Sequence, residues 1–302
     1  MKKHTLVVLA AGMGSRYGGL KQLDAMSDEG DTIIDFSLYD AIDAGFSKVV
    51  FIIREEFKER FVQNFDEKLK GKIEVAYVFQ ELHKIPSGYE VHPDRVKPWG
   101  TGHATLMAQE EIAGNFCVIN GDDFYSRGAF QTMTQELDSL DADSYDMCMV
   151  GYNLKNTLSD NGFVSRGECF VNNANELIEI TERLHIERVG GKILRKDESG
   201  ALVSMSENTV VSMNFWGFTP KYLKVVAEAF HLFLKERSFE LKSEFFIPSV
   251  VNKILESKLG KVKVLTSDAK WMGVTYAEDR ASVVQEVARL KKEDIYPKNL
   301  WH

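Results

Sequence analysis

Thr5-Leu6-Val7-Val8-Leu9-Ala10-Ala11-Gly12-Met13-Gly14-Ser15-Arg16-Tyr17-Gly18-Gly19-Leu20-Lys21 is the stretch on which the fold turns. Its first five residues form an apolar run of the kind that makes a buried strand. The strand empties into a loop with four glycines and two cations. Glycine lets the backbone take positive φ and approach a ligand closely, and successive N–H groups in such a loop form a concave anion site. Arg16 and Lys21 add fixed charge and donors matched to phosphate oxygens. An ordinary strand–turn–helix connection explains the glycines but not the cations, so the reading is a polyphosphate cradle.

Spacing excludes two familiar glycine loops. A dinucleotide fingerprint needs a third glycine where Tyr17 stands. Gly14 and Gly19 have the spacing of a Walker loop, but Leu20 follows where lysine is required and Gln22 follows Lys21.

The 302 residues suffice for one large α/β domain or a domain with an added lobe, and an apolar fraction of 44% supplies a sizeable core. A formal net charge of −8 argues against nonspecific nucleic-acid binding and against an anionic membrane surface. It leaves room for a phosphorylated ligand, because the loop cations are local. Cys117, Cys148 and Cys169 are odd in number with no close pair, which predicts a reduced compartment and neither a zinc site nor a disulfide framework. The apolar run after Lys2-Lys3 is cut short at Gly12, so it is not read as a signal peptide, and no stretch has the length of a membrane span. The expectation is a soluble cytoplasmic protein.

Strand and helix patterns alternate through residues 1–145. Helices are predicted over Ile33–Ala44, stopped by Gly45, over Glu55–Leu69, stopped by Gly71, and over Thr101–Ile112. Strands are predicted over Lys48–Ile53, Ile73–Phe79 and Asn115–Ile119. This rhythm implies a Rossmann-like, mostly parallel sheet with right-handed crossovers and helices on both faces. The connection at 81–99 is long and holds three prolines together with histidines, lysines, an arginine and aromatic residues. Such loops either contact a ligand or partner or are solvated excursions.

From Asp146 the pattern changes to strands over Met147–Tyr152, Phe163–Asn172, Glu176–Thr181, Arg183–Arg195 and Val210–Thr219. Thr219-Pro220 reads as an N-cap and first turn for a helix to Lys235. A helix over Ser243–Ser257, a strand over Lys261–Leu265 and a helix over Ala277–Lys292 follow. No linker has the composition of a domain boundary. Residues 1–302 are therefore read as a single domain, in which the second half, 146–302, completes the sheet begun by 1–145 and adds a mixed-strand substrate lobe.

Ligands of open α/β sheets bind beyond the carboxyl ends of the strands. The glycine loop, Gln80-Glu81 and Asn120-Gly121-Asp122-Asp123 each follow a predicted strand, so all three fall on one edge. A carboxylate at Asp122 can face a Mg²⁺ held with phosphate oxygens; the same residue type in isolation forms an Asx-turn. Thr101 stands where it can cap its own helix as well as line a ligand site.

The run Leu9-Ala10-Ala11-Gly12-x-Gly14-Ser15-Arg16, with Lys21, resembles the L-A-A-G-x-G-[ST]-R…K signature of the sugar-phosphate nucleotidyltransferases. Gly100-Thr101-Gly102-His103-Ala104 is identical to the G-T-G-H-A run of N-acetylglucosamine-1-phosphate uridylyltransferases. In that family the glycine and threonine, with an upstream glutamine matched here by Gln80, surround the uracil ring. The resemblance implies a nucleotide-binding half at 1–145 and an acceptor-binding half at 146–302, with Leu9, Ala10, Ala11, Gly12, Gly14, Gln80, Gly100 and Thr101 binding the nucleotide and Arg16 and Lys21 as catalytic cations. Asp122 follows Gly121 as in the family's G-D and is implied as the Mg²⁺ ligand, with Asp123 structural. Gly162 in Asn161-Gly162-Phe163-Val164, Glu182 and Asn214 resemble the family's sugar-binding positions. One departure stands out: relatives place a second metal-binding aspartate in a W-x-D-x-G run, and here Gly273 occupies it. The uridylyltransferase form is E-G-V-N, and Thr275 stands at its asparagine. A threonine hydroxyl can ligate Mg²⁺ without adding charge, and Asp268 or Asp279 can supply a carboxylate instead.

The reaction this implies is attack of a sugar 1-phosphate on the α-phosphorus of a nucleoside triphosphate, UTP or dTTP, with release of pyrophosphate. Such transfer needs positioning and charge neutralisation more than a protein nucleophile, and the sequence offers no Ser-His-Asp or Cys-His arrangement that asks for explanation. A glycosyltransferase would use an Asp-x-Asp motif and have no need of Arg16 and Lys21. A cytidylyltransferase on a phosphorylated alcohol and a non-catalytic nucleotide-sugar-binding regulator are the remaining alternatives.

Overall fold

The computed structural model describes residues 3–12, 21–197, 199–267, 269 and 271–301. Arg16, Gly14 and the rest of the 13–20 loop, and Asp268, lie outside the described residues.

Along residues 1–145 the elements are β1 (Thr5–Leu9), α1 (Ile33–Asp43), β2 (Lys48–Ile53), α2 (Lys58–Leu69), β3 (Glu74–Phe79), α3 (Thr101–Met107), β4 (Phe116–Asn120), β5 (Asp123–Phe124) and α4 (Arg127–Ser139). The remainder gives β6 (Met147–Asn153), β7 (Val164–Val171), β8 (Leu177–Val189), β9 (Lys192–Lys196), β10 (Leu202–Met205), β11 (Val210–Phe218), α5 (Lys221–Arg237), α6 (Ile247–Glu256), β12 (Val262–Ser267), β13 (Met272–Gly273) and α7 (Asp279–Lys292).

The centre of the sheet is parallel, in the order β3-β2-β1-β4. Strand β11 then joins β4 antiparallel and carries the sheet through β7, β8, β9 and β10, while β6 pairs with β11 and, in parallel, with β12. This is the mixed α/β architecture the alternation predicts. Period-2 alternation divides the core: Leu6 and Val8 face the layer of α1, α2, α4 and α7, and Val7 faces the layer of α3, α5 and α6. Both faces of the parallel strands are covered, which is why β1, β2 and β4 read as continuous apolar runs.

Several local expectations are corrected. Glu176–Thr181 and Arg183–Arg195 are not separate strands: β8 runs unbroken through Glu182 to Val189. Its hairpin turn falls instead at Gly190-Gly191, with φ of +57° and +80°, the conformation a two-residue type I′ turn requires. Thr219 does not cap α5; its hydroxyl donates to the Ser144 carbonyl, 2.7 Å away. The helix begun at Thr101 closes at Met107 and ends in a separate 3₁₀ turn over Gln109–Glu111. Helix α4 and the short pair β5–β13 carry no pattern that the sequence reading caught.

Candidate functional site

Strands β1, β3 and β4 end on one edge, and their exits build the site. Gly121 after β4 donates its N–H to the Leu9 carbonyl at 2.9 Å, so the two strand ends close on each other. A Cβ at 121 would sit 3.2 Å from both Leu9 O and Ala10 Cβ, which accounts for the glycine. Gln22 Nε2 donates to the Gly12 carbonyl at 2.8 Å.

Two cavities open along this edge. The larger, about 650 Å³, is walled by Leu9, Ala11, Gly12, Gln80, Gly100 and Thr101. The smaller, about 230 Å³, is walled by Asp123, Arg166, Glu182, Asn214 and Trp271 among others. Lys21, Asn120, Asp122 and Thr275 line both and form the partition between them. Lys21 Nζ is held 2.8 Å from the Val274 carbonyl and ion-pairs with Asp122 Oδ2. The sequence-assigned positions Lys21, Asp122 and Thr275 thus converge, with nucleotide-assigned residues on one side and Glu182 and Asn214 on the other. Ala10 is buried beneath the edge and lines neither cavity.

In the larger cavity, the G-T-G-H-A run is shaped by its neighbour Phe245. Gly100 has φ +103°, and a Cβ there would meet the Phe245 carbonyl oxygen at 2.6 Å. The Thr101 hydroxyl caps neither its own helix nor a turn of its own; it accepts the Ile247 N–H at 3.1 Å and so caps α6. Gln80 donates to the Gly100 carbonyl at 2.9 Å and lies 3.2 Å from His103 Nδ1. The 81–99 connection is no free excursion. Buried Arg95 stacks 3.7 Å from the Trp99 ring and donates to Ser243 Oγ at 3.0 Å, and Val96, Lys97 and Pro98 become a wall of the cavity. Lys97 ion-pairs with Glu244 across that wall.

In the smaller cavity, Asn214 sits at a bulge in β11. The pairing register with β6 shifts between Ser212 and Trp216, and Asn214 takes φ +58°. Asparagine tolerates that left-handed conformation, and the bulge aims its side chain at Asn120, with Nδ2 donating to Oδ1 over 3.3 Å. Glu182, on β8, is exposed to solvent along the cavity, and partial burial of its carboxyl pushes it up, with Glu244 adding to the shift and Arg166 opposing it.

Arg166 is the site residue that sequence reasoning missed. Its guanidinium donates to the Thr157 carbonyl from Nε at 3.2 Å and to the Ser165 carbonyl from Nη1 at 2.8 Å. It lies 4.7 Å from the Trp271 ring centre. Burial lowers its pKa to about 10, with Asp123 and Glu182 opposing the shift, so it stays charged at neutral pH. The available signal was an arginine two residues after Val164 in β7, on the inward face of a strand.

The structure places three further positions. Gly162 lines neither cavity; its backbone, at φ +153°, packs against the Tyr276 ring, where a Cβ would approach within 2.7 Å. Asp279 is committed elsewhere. Its Oδ1 accepts from Ser159 Oγ and Asn161 Nδ2, and its Oδ2 accepts from the Thr275 and Tyr276 N–H groups, all within 3.0 Å. At Gly273, where relatives place an aspartate, a Cβ would lie 2.8 Å from Asp123 Oδ1 and 2.2 Å from Trp271 Cζ2. Asp123 itself is buried, accepts from Asn120 Nδ2 at 2.8 Å, and has its carboxyl pushed up to about 7 by burial and by Asp122. A carboxylate therefore does stand beside position 273, delivered from β5 instead of β13.

Among the described residues, no group of three or more His, Cys, Asp or Glu side chains is placed to hold a metal. The candidate metal donors at the partition and just beside it are all oxygens: Asp122 and the Thr275 hydroxyl, which line both cavities, and Asp123, which lines the smaller one. That chemistry suits Mg²⁺, which takes one or two carboxylates and fills its shell with phosphate and water. Among the described residues no helix is long and apolar enough to cross a membrane.

Comparison with known proteins agrees with this architecture. The inositol-1-phosphate CTP transferase of T. maritima is 13% identical, with a TM-score of 0.62 over 96% of this chain and 97% of that one. A Bacillus anthracis protein assigned as a glucose-1-phosphate thymidylyltransferase, solved with sucrose, is 13% identical, with a TM-score of 0.61 over 94% of each chain. At these identities the likeness is one of fold. No curated protein matches by sequence. The family described as nucleotidyl transferase matches residues 5–287, nearly the whole chain. The chain belongs to the nucleotidyl transferase family.

Proposed function

We propose that the protein joins UTP or dTTP to a sugar 1-phosphate and releases pyrophosphate, with Mg²⁺ as cofactor. The observation that carries this reading is the shared partition: Lys21, Asn120, Asp122 and Thr275 line a nucleotide-sized cavity on one side and a small polar cavity on the other. A transfer between two bound phosphates needs such a junction, because the reacting oxygen and phosphorus must be held within contact distance.

The triphosphate would enter with its base toward Gln80 and Thr101 and its phosphates toward Gly12 and the glycine loop. Lys21 Nζ, at the partition, would neutralise charge on the α-phosphate and on the incoming phosphate. One oxygen of the acceptor phosphate forms a bond to the α-phosphorus as the bond to the β-phosphate oxygen breaks, and pyrophosphate leaves. No protein nucleophile is required. Asp122 and Asp123, with Thr275, would hold Mg²⁺. When bound, the ion supplies Lewis-acid polarisation of the phosphoryl oxygen. Glu182 and Asn214 would accept and donate hydrogen bonds to sugar hydroxyls, and Arg166 would hold negative charge on the acceptor.

The test is a matrix of nucleoside triphosphates against sugar 1-phosphates and phosphorylated alcohols, read as pyrophosphate release with Mg²⁺. The expected pattern is turnover with UTP or dTTP and at least one sugar 1-phosphate. Turnover confined to a phosphorylated alcohol would replace the acceptor, and none with any pair would overturn the reading.

A further inference from the structure

We propose that His103 is a positioning residue that fixes the orientation of the Gln80 amide, so that the cleft presents a hydrogen-bond acceptor and favours uracil or thymine over cytosine. This deepens the reading that Gln80 faces the base. The argument starts from two backbone carbonyls, whose roles are not negotiable because a carbonyl oxygen only accepts. The Lys84 carbonyl lies 2.9 Å from His103 Nε2. Nε2 must then carry the proton, and in a neutral ring Nδ1 is left as a lone pair. Nδ1 lies 3.2 Å from the Gln80 amide, so the group facing it must be the NH₂. The Gly100 carbonyl, 2.9 Å from the same nitrogen, makes the same demand from another direction. Both amide protons are spoken for, and Oε1 is what remains for a ligand.

The ring has little freedom to break this chain. His103 is fully buried and stacks on Phe230 with ring centres 4.8 Å apart. Lys84 is joined to it through the backbone carbonyl, and the charged groups that face it are Arg95 and the Lys84 ammonium, both of which resist a second proton on the ring. Burial acts in the same direction and lowers its pKa to about 4.

Base chemistry supplies the consequence. Uracil and thymine carry N–H at N3 and can donate to Oε1. Cytosine carries a lone pair there, and two acceptors facing each other leave both unpaired in a site with few alternatives. A site built to hydrogen-bond one group rejects an analogue lacking it far more strongly than an apolar pocket does. The long connection at 81–99 gains a second role, since it delivers the Lys84 carbonyl that starts the chain.

The experiment compares UTP and CTP binding by calorimetry, and turnover where present, in the full-length wild-type protein, His103→Phe and His103→Gln. The wild type is expected to favour UTP by ~10²-fold or more. His103→Phe keeps the stack on Phe230 but not the relay, and should shrink that ratio by about tenfold with little change in acceptor KM. His103→Gln, whose amide can donate to Lys84 and accept from Gln80, should restore it. A merely structural role for His103 would change stability without moving the ratio. Nitrogen-15 NMR of the ring gives a readout that survives poor folding of either variant: the Nε2–H tautomer is expected. Equal or tighter CTP binding by the wild type, an unchanged ratio in His103→Phe, or an Nδ1–H tautomer would each overturn the proposal. Absence of pyrophosphate release would count against the transferase reading alone, because the binding ratio and the tautomer are measured without catalysis.

Discussion

Lys21 Nζ and Asp122 Oδ2 lie 2.5 Å apart on the partition between the two cavities. One residue follows the first strand and the other the fourth, and the parallel pairing of β1 with β4 sets those two strand exits side by side. In the free protein each satisfies the other's charge. Occupation of the site by phosphates and a cation would exchange this pair for two new ones, Lys21 with phosphate and Asp122 with metal.

Removing either half should therefore be felt in turnover more than in folding. Lys21→Met is expected to lower kcat by ~10²-fold, the loss typical of one preorganised charge at a reacting phosphoryl group. Arg16→Ala in the same loop should behave alike. Steady-state kinetics with a thermal melt beside them decides the matter; unchanged kcat in Lys21→Met would remove it from the reaction.

The metal prediction concerns Asp122 and Thr275. Mn²⁺ titrations followed by water proton relaxation should show weak binding to the free protein and tighter binding once the triphosphate adds its oxygens. Asp122→Asn should abolish the tighter mode, and Thr275→Asp should strengthen binding without nucleotide. Gly273→Asp should not do the same, because Asp123 and Trp271 already fill that side-chain space.

For the acceptor side, Arg166→Met should raise the acceptor KM by about 10-fold or more, a loss on the order of 1.4 kcal/mol or more, in keeping with a buried charge–phosphate hydrogen bond. The KM for the nucleoside triphosphate should stay near its wild-type value. A change in the nucleotide KM alone would move Arg166 out of the acceptor site.

A pH prediction follows from Asp40, buried on α1 under Tyr296, whose hydroxyl donates to it at 2.6 Å. Burial pushes this carboxyl up to about 7 from 3.8, against the opposing pull of the Tyr296 hydrogen bond and Arg127. The folded protein thus holds the proton where the unfolded chain has released it, and the associated stability is lost as pH rises from about 4 through 7. Asp40→Asn should lessen the fall in stability between pH 5 and pH 8 by about 2–3 kcal/mol. Urea denaturation at the two pH values checks it, and parallel curves for the two proteins would refute it.

Two glycines should respond oppositely to alanine. Gly100→Ala meets both a positive φ and a backbone oxygen, and should cost about 2 kcal/mol or more. Gly128, in α4, has nothing within 4 Å of its would-be Cβ and no positive φ, so Gly128→Ala should be neutral or stabilising by up to about 1 kcal/mol. Chemical denaturation of the two variants separates them.

The sequence by itself determined the parallel centre of the sheet and the edge on which the site lies. Strands covered on both faces must be apolar throughout, and β1, β2 and β4 declare themselves for that reason. Polar and glycine-rich residues just past their ends then mark the ligand edge. Local pattern could not show Arg166, because a strand's period tells which face a residue takes and not whether a cavity waits on that face. Nor could it show that Thr101 caps α6 rather than its own helix, that Asp279 is spent on two loops, or that Asp123 fills the space left by Gly273. Each of these joins residues more than a hundred positions apart, except the Asp279 bonds to its own turn, which are tied in place by Ser159 and Asn161. A hydrogen bond or a steric exclusion depends on distances of a few tenths of an ångström between groups that only the packed layers bring together, and those distances are properties of the tertiary structure alone.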